Sequence, residues 1–344
     1  MTNIYIGELP PPYGGVTKKN KLTYENVFID TNTVFFDLVE FKRSKKLCVS
    51  LCVKLLCYIR VSNNMIVGVG TSGRRKLLLL ARFILTGTNG LHKTIVIGMG
   101  GQIGIPETKS DLLRFLMKRV GSTWVESQTM IERLNNIGIK NVYLFPNCRV
   151  NEGACLPQKN TGKLKLVYFS KICEEKGMDL VIEAFDKIEQ IATLDIYGEV
   201  DTSYKDRFEE FLKIFNSVRY HGIFKDSTLV YQELNKYDAI ILLTHWTGEG
   251  VPGTLIESKM AGITAIVSDW NYNKEVVLDG EEGIVLKRNS PEELIKSVNY
   301  LHENRDELDR FKHSSFDSRG RYCIESYRPL ILEALKKECL YENN

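Results

Sequence analysis

Short runs of apolar, β-branched and aromatic residues recur along this chain, separated by longer stretches of helical periodicity. Asn3–Gly7, Thr33–Phe36, Met65–Val67, Thr94–Ile97, Thr123–Val125 and Val142–Leu144 read as buried strands. They are continuous rather than alternating, the pattern of strands covered on both faces. The segments between them are long enough for crossover helices, so the pattern predicts βαβ units and a parallel sheet.

After a polar, irregular stretch from Pro146 to Gly162 the alternation restarts. Lys165–Phe169, Thr193–Tyr197, Ala239–Leu243 and Thr264–Val267 are expected strands, with Val218–Tyr220 and Gly283–Leu286 as shorter candidates. Helices are expected over Glu175–Glu189, Tyr204–Phe215, Pro252–Ala261 and Pro291–Asn299. With 344 residues the chain exceeds the usual size of one domain. The pattern predicts an α/β protein of two Rossmann-like domains with a cleft between them: residues 1–150, a linker at 151–163, and residues 164–317. A helical tail over 318–344, with no strand partner, is expected to pack across the domains.

The segment Gly248–Gly262, GEGVPGTLIESKMAG, is the richest in chemistry. Glu249 and Glu257 flank a turn that resembles a helix start. Pro252 suits the first helical position, where its missing N–H costs nothing. The amides of Gly253, Thr254 and Leu255 would then project from the helix N-terminus, a ready anion site that suits a diphosphate. Glu257, on the helix, is placed to accept from a ribose diol, and Glu249, in the turn, to meet a sugar. The same spacing also suits a solvated acidic loop entering a core helix, since Leu255, Ile256 and Met260 are apolar at helical spacing. Ligands of open α/β sheets bind beyond the carboxyl ends of the strands, and Glu249 follows the strand ending near Leu243.

Charge is unevenly spread. Residues 1–150 hold 21 Lys/Arg and 9 Asp/Glu, a balance of +12; residues 151–344 hold 25 and 34, a balance of −9. No acid lies between Glu40 and Glu107, where eleven basic residues fall, among them Lys42, Arg43, Lys45, Lys46, Arg74, Arg75, Lys76 and Arg82. Such a field attracts an anionic surface. The mixture of leucines and basic residues in Lys76-Leu-Leu-Leu-Leu-Ala-Arg82-Phe83 favours a membrane interface over a nucleic-acid groove. A basic surface without a dedicated partner is the plainer alternative. The eight cysteines form no CxxC pair and no zinc set, and are expected as buried free thiols. The sequence has no signal-peptide pattern and no run of about 18 apolar residues, so a cytosolic protein is expected.

Gly68-Val-Gly70-Thr-Ser-Gly73 matches G-x-G-x-x-G, yet follows the third strand and has no acidic residue about 20 positions on. Dinucleotide binding is not expected. The cluster Gly98-Met-Gly100-Gly101-Gln-Ile-Gly104 is expected to serve close backbone packing or to line the acceptor side.

Tyr168–Phe185, with Lys171 and Lys176-Gly177, resembles the strand, lysine–glycine turn and helix of retaining glycosyltransferases of the GT-B fold, family 4. Glu249 and Glu257 match that family's E-x₇-E motif. Ser268–Val276 resembles the segment that follows in a polysaccharide-assembly subgroup. The resemblance runs from Gly14-Gly15 to about Leu301. It implies GT-B architecture, two Rossmann-like domains facing across a cleft, and transfer of a sugar from a nucleoside diphosphate to a glycan acceptor carried on a lipid, at the inner face of the membrane. It gives Lys176, and beside it Lys171, to the donor diphosphate, and Glu249 to the donor sugar. Backbone from Gly250 through Val251, Pro252 and Gly253 to Thr254 would hold sugar and diphosphate, and Glu257 the ribose. Gly14 and Gly15 would let backbone approach the phosphates. No metal and no cofactor beyond the donor are expected, nor is nucleic acid. Many relatives carry Arg where Lys171 stands, and a histidine near Gly100, so the acceptor side has no named base. A GT-B sugar-nucleotide epimerase and a non-catalytic partner subunit are the alternatives.

Overall fold

The computed structural model describes residues 2–11, 14–40, 45–84 and 89–340. The chain divides into two compact units, residues 1–148 with 323–344, and residues 149–322.

The first unit holds strands β1 (Asn3–Gly7), β2 (Thr33–Asp37), β3 (Met65–Gly68), β4 (Thr94–Ile97), β5 (Ser122–Val125) and β6 (Val142–Leu144). All pair in parallel, in the order β2-β1-β3-β4-β5-β6. Its helices are α1 (Gly15–Thr23), α2 (Lys45–Val61), α3 (Thr71–Ile84), α4 (Asn89–His92), α5 (Ile105–Lys109), α6 (Asp111–Met117) and α7 (Gln128–Asn136). Right-handed crossovers put α1 on one face and α2, α3, α6 and α7 on the other. The strands bury Ile4, Ile6, Ile66, Val67, Ile95 and Val96, as their unbroken apolar runs require. β6 departs from the buried strand expected: it is an edge, and Tyr143 and Leu144 are exposed.

A buried asparagine accounts for the first glycine of G-x-G-x-x-G. Asn20 on α1 donates from Nδ2 to the carbonyls of Glu8, at 3.0 Å, and Gly68, at 2.9 Å, and accepts from Tyr5 Oη at 2.8 Å. A Cβ at Gly68 would fall 2.2 Å from Asn20 Oδ1. The glycine therefore serves side-chain packing between neighbouring strand ends.

The basic stretch also reads differently in three dimensions. Arg74 is fully buried and pairs with buried Glu107, whose other oxygen accepts from Gly104 N–H at 2.7 Å. Leu77, Leu78 and Ala81 are core residues of α3. Helical spacing turns them and Arg74 inward, so they do not form the membrane-facing surface expected of them. Arg75, Lys76 and Arg82 are exposed. Lys42 and Arg43 lie outside the described residues, as do the side chains of Lys45, Lys46 and Phe83. Buried thiols are found at Cys148, Cys173 and Cys323, whereas α2 turns Cys52 and Cys57 outward.

The second unit holds β7 (Leu164–Phe169), β8 (Ala192–Tyr197), β9 (Val218–Tyr220), β10 (Ala239–Leu242), β11 (Thr264–Ser268) and β12 (Gly283–Leu286), again all parallel, in the order β12-β11-β10-β7-β8-β9. Helices α8 (Met178–Ile188), α9 (Lys205–Ile214), α10 (Val230–Leu234), α11 (Gly253–Met260), α12 (Asn273–Val276), α13 (Pro291–Glu303) and α14 (Arg305–Asp317) connect and follow them. Helices α8 and α13 pack together, and α11 packs against α10 and α14. Strand order reverses between β7 and β10, the place where open α/β sheets form their ligand crevice.

The stretch expected as a linker is fastened along the second unit. Asn160 Nδ2 donates to Asp238 Oδ1 at 3.1 Å, Tyr231 Oη to Val150 O at 3.0 Å, and Cys155 N–H to Met260 O at 2.8 Å. Asp238 also holds the buried Lys312 ammonium at 3.2 Å. The unit begins and ends side by side, with Arg149 N–H on Tyr322 O at 2.8 Å. Helix α15 (Ile324–Leu340) belongs to the first unit, where Asn64 Nδ2 donates to Leu335 O at 3.2 Å and Tyr327 packs on Phe145.

Candidate active site

Three segments that are far apart in sequence meet at the carboxyl edge of the second sheet. The first is the turn between β7 and α8. After Phe169 the chain passes through Lys171 into one 3₁₀ turn, Glu174–Lys176, and leaves it at Gly177 with φ of +79°. That left-handed conformation favours glycine. Space demands it as well, since a Cβ at Gly177 would lie 2.3 Å from Leu243 O. Tyr168, buried in β7, donates its hydroxyl to Lys171 O at 2.9 Å and lies 3.3 Å from Lys176 O. Burial pushes that phenol well above its ordinary range, so it stays a donor.

The second segment follows β10. His245 N–H donates to Glu175 O at 2.9 Å and Thr244 Oγ1 lies 3.1 Å from the same oxygen, which ties this loop to the lysine turn. The chain then folds back so that Glu249 N–H meets Trp246 O at 3.1 Å. Buried Glu249 thereby reaches Lys176, and its Oε2 binds the Lys176 ammonium and accepts from Thr244 Oγ1 at 3.1 Å. The ammonium also sits over the Trp246 ring, 4.8 Å from its centre, a cation–π position.

The third segment follows β11. Ser268 Oγ donates to Thr244 O at 2.6 Å, and Asn273 Nδ2 to Ser268 O at 3.1 Å. Asn271, with φ of +47°, donates from Nδ2 to Glu249 O at 3.0 Å, and Trp270 Nε1–H reaches Trp246 O at 2.8 Å. The Ser268–Val276 motif thus supports the Glu249 loop from below through backbone carbonyls.

Gly250 and Val251 lead from Glu249 into α11. Pro252 is the N-cap, with φ of −67° and ψ of 120°, one position ahead of the first helical position expected for it. Leu255 N–H is used by Pro252 O at 3.2 Å, so Gly253 and Thr254 carry the amides at the helix start, not all three residues as expected. Thr254 Oγ1 donates to Phe169 O at 3.1 Å and fixes α11 against the end of β7. Glu257 lies one turn in and accepts on Oε1 from Arg149 Nε, at 3.0 Å, and Nη2, at 2.9 Å.

Of the residues expected at the site, Lys176, Glu249, Glu257 and the Gly250–Thr254 turn belong to this edge. Lys171 is half exposed and engaged elsewhere, by Asp201 in the loop that follows β8. Its hydrogen bond holds the Asp201 carboxyl well below the usual range, and the carboxylate in turn raises the Lys171 ammonium. Gly14 and Gly15 stand at the start of α1 in the first unit, with open space where a Cβ would project. Thr244, Trp246, Asn271 and Arg149 were not singled out from the sequence. Arg149 carried no signal there, because its partner lies 108 positions away. Among the described residues no cluster of three or more His, Cys, Asp or Glu is arranged to hold a metal ion.

Residues 157–316 match the family model described as glycosyl transferases group 1. An uncharacterized glycosyltransferase of Methanocaldococcus jannaschii is 25% identical over 163 residues, which cover 45% of this chain and 40% of that protein's length. Solved structures match nearly end to end. HepE of Anabaena, in complex with UDP, has a TM-score of 0.76 at 13% identity and covers 98% of this chain and 100% of its own. Sucrose-phosphate synthase of Thermosynechococcus elongatus has a TM-score of 0.74 at 10% identity and covers 100% of both. The lipopolysaccharide outer core galactosyltransferase WaaB, in its apo form, has a TM-score of 0.68 at 15% identity, covering 98% and 100%. With two six-stranded parallel sheets in this arrangement the chain has the GT-B fold, and its second unit matches the model of glycosyl transferases group 1.

Proposed function

We propose that this protein transfers a sugar from a nucleoside diphosphate sugar to a glycan acceptor. The observation that carries this reading is the Lys176–Glu249 pair beside the α11 start, with Glu257 one turn behind. In the proposed cycle the donor diphosphate takes the Lys176 ammonium and the amides of Gly253 and Thr254, which together stabilise charge developing on the leaving group. Glu249, relieved of its lysine, accepts from hydroxyls of the donor sugar. Glu257, held by Arg149, accepts from the ribose diol. Lys171 is a second cation for the phosphates.

Transfer proceeds with retention. The acceptor hydroxyl attacks the anomeric carbon on the face the diphosphate leaves, and a phosphate oxygen takes its proton. Neither glutamate is then a nucleophile, which separates this chemistry from the paired carboxylates of glycosidases. Lysine and helix amides carry the charge role that a metal has elsewhere. HepE has been solved with UDP and with UDP-glucose, which supports a uridine nucleotide as the first donor to test. The acceptor is proposed to be lipid-linked, in cell-surface polysaccharide synthesis. The basic first domain is proposed to rest on an anionic membrane at its cytoplasmic face.

A panel of UDP-, GDP-, ADP- and dTDP-sugars followed by thermal unfolding tests this. At about 100 times Kd the matching donor stabilises by about 2.7 kcal/mol, roughly 5–10 °C for a unit of this size. If no sugar nucleotide shifts the transition, the reading is wrong. Conversion of a sugar nucleotide to its epimer without acceptor would replace it by the epimerase.

A further inference from the structure

We infer that helix α2 enters the headgroup region of an anionic lipid bilayer through the stripe Val49, Val53 and Leu56. This rests on the membrane placement proposed above and names the element that makes it. Val49 is 66% exposed, Val53 57% and Leu56 40%. Their i, i+4, i+7 spacing aligns them along one side of the 17-residue helix. The opposite side anchors α2: Leu55 is buried and Tyr58 meets Phe36 edge-on, with ring centres 5.6 Å apart. The exposed stripe is thus the unused face of a helix already docked on its own sheet.

Charge selects the occupant. No acidic residue occurs from position 41 to 106. Lys54 on α2 is exposed, and so are Arg75 and Lys76 on α3, which packs beside α2. An exposed apolar stripe on a helix that, like its neighbour α3, carries basic and no acidic residues fits the boundary between acyl chains and anionic headgroups, where the stripe is desolvated and the ammonium and guanidinium ends stay in the phosphate layer. A second copy docking through the same face would bring like charge against like. A nucleic acid would meet the charge but leave the valines and leucine in water. No helix among the described residues is long and apolar enough to cross a membrane, so α2 lies along the surface.

The test uses the full chain and vesicles of phosphatidylglycerol and phosphatidylcholine with brominated acyl chains. Val53→Trp is expected to bind as wild type does and to add fluorescence that the bromines quench, beyond the signal of the native tryptophans. Val53→Asp with Leu56→Asp is expected to weaken vesicle binding by about tenfold or more, with circular dichroism and nucleotide binding unchanged. Wild-type protein is expected to keep part of its binding at about 1 M salt, where charge attraction is screened. Binding without added quenching, lost entirely at high salt, would overturn insertion and leave electrostatic adsorption in place. Absence of binding to anionic vesicles would overturn both insertion and the membrane placement. A dimer without lipid, split by the double aspartate variant, would give the stripe to a second copy.

Discussion

The ammonium of Lys176 is bound by the carboxylate of Glu249, 73 positions away, with Thr244 on the same oxygen and the Trp246 ring beneath. Each side chain holds the other where a ligand would meet it. In the proposed cycle a diphosphate would compete with Glu249 for the lysine, and sugar hydroxyls with Lys176 for the carboxylate, so donor binding would exchange one satisfied pair for two satisfied contacts. Either truncation should cost about 10²–10³ in turnover, the loss typical for one group aimed at developing charge. Lys176→Ala and Glu249→Ala should stay folded. Steady-state transfer rates beside circular dichroism check this, and near-wild-type turnover in either variant would remove the assigned roles.

Gly177 sets the position of that lysine. A side chain there meets both a left-handed backbone and the carbonyl of Leu243. Gly177→Ala should therefore destabilise the second unit by about 2 kcal/mol or more and weaken donor binding as the turn shifts. Urea titration gives the first and calorimetry the second. An unchanged midpoint would show that the turn yields easily.

Arg74 and the exposed basic residues should separate cleanly. Breaking the buried pair with Glu107 by Arg74→Met leaves a buried carboxylate unmatched, which costs about 3–5 kcal/mol. Arg75→Ala with Lys76→Ala should change stability by no more than about 0.5 kcal/mol and still weaken binding to anionic vesicles. Denaturation and vesicle flotation of the same preparations measure the two effects. A stable Arg74→Met protein would contradict the buried-pair assignment.

Much of this was legible in the sequence, and the misses share a cause. The strands could be read because residues buried on both faces form unbroken apolar runs. The Glu249–Glu257 segment could be read because its parts are local: a proline, small residues, and two carboxylates eight positions apart. Arg74 was misread because a charged residue in a basic run gives no sign of its partner, and Glu107 lies 33 positions on. Leu77 and Leu78 were misread as interfacial for the related reason that a leucine run does not say which side faces the sheet. On α2 the run hides the stripe in the same way, since Val53, Leu55 and Leu56 are equally apolar and only the fold decides which is covered. Thr244, Trp246, Asn271 and Arg149 act through partners that sequence spacing does not bring together.

Lys259 predicts a pH dependence in the second unit. Its buried ammonium lies 2.8 Å from Glu282 Oε2, with Arg321 on the other carboxylate oxygen. Burial outweighs the attraction of Glu282 and pushes its pKa down to about 8. The unfolded lysine titrates near 10.4, so between these values the unfolded chain holds more protons and stability from this group rises with pH. Wild type should gain on the order of 1–2 kcal/mol relative to Lys259→Met between about pH 7 and pH 9.5. Urea titrations of both proteins across that range check it, and parallel curves would contradict it.

The edge formed by Lys176, Glu249 and the start of α11 is proposed to hold a nucleoside diphosphate. Calorimetric titration of UDP, GDP, ADP and dTDP into wild type and Lys176→Ala decides this. One of these nucleotides should bind the wild type, and Lys176→Ala, folded, should bind it about tenfold more weakly or worse, as for a lost hydrogen bond to a charged group. Binding of none, or equal affinity in the two proteins, would contradict the claim.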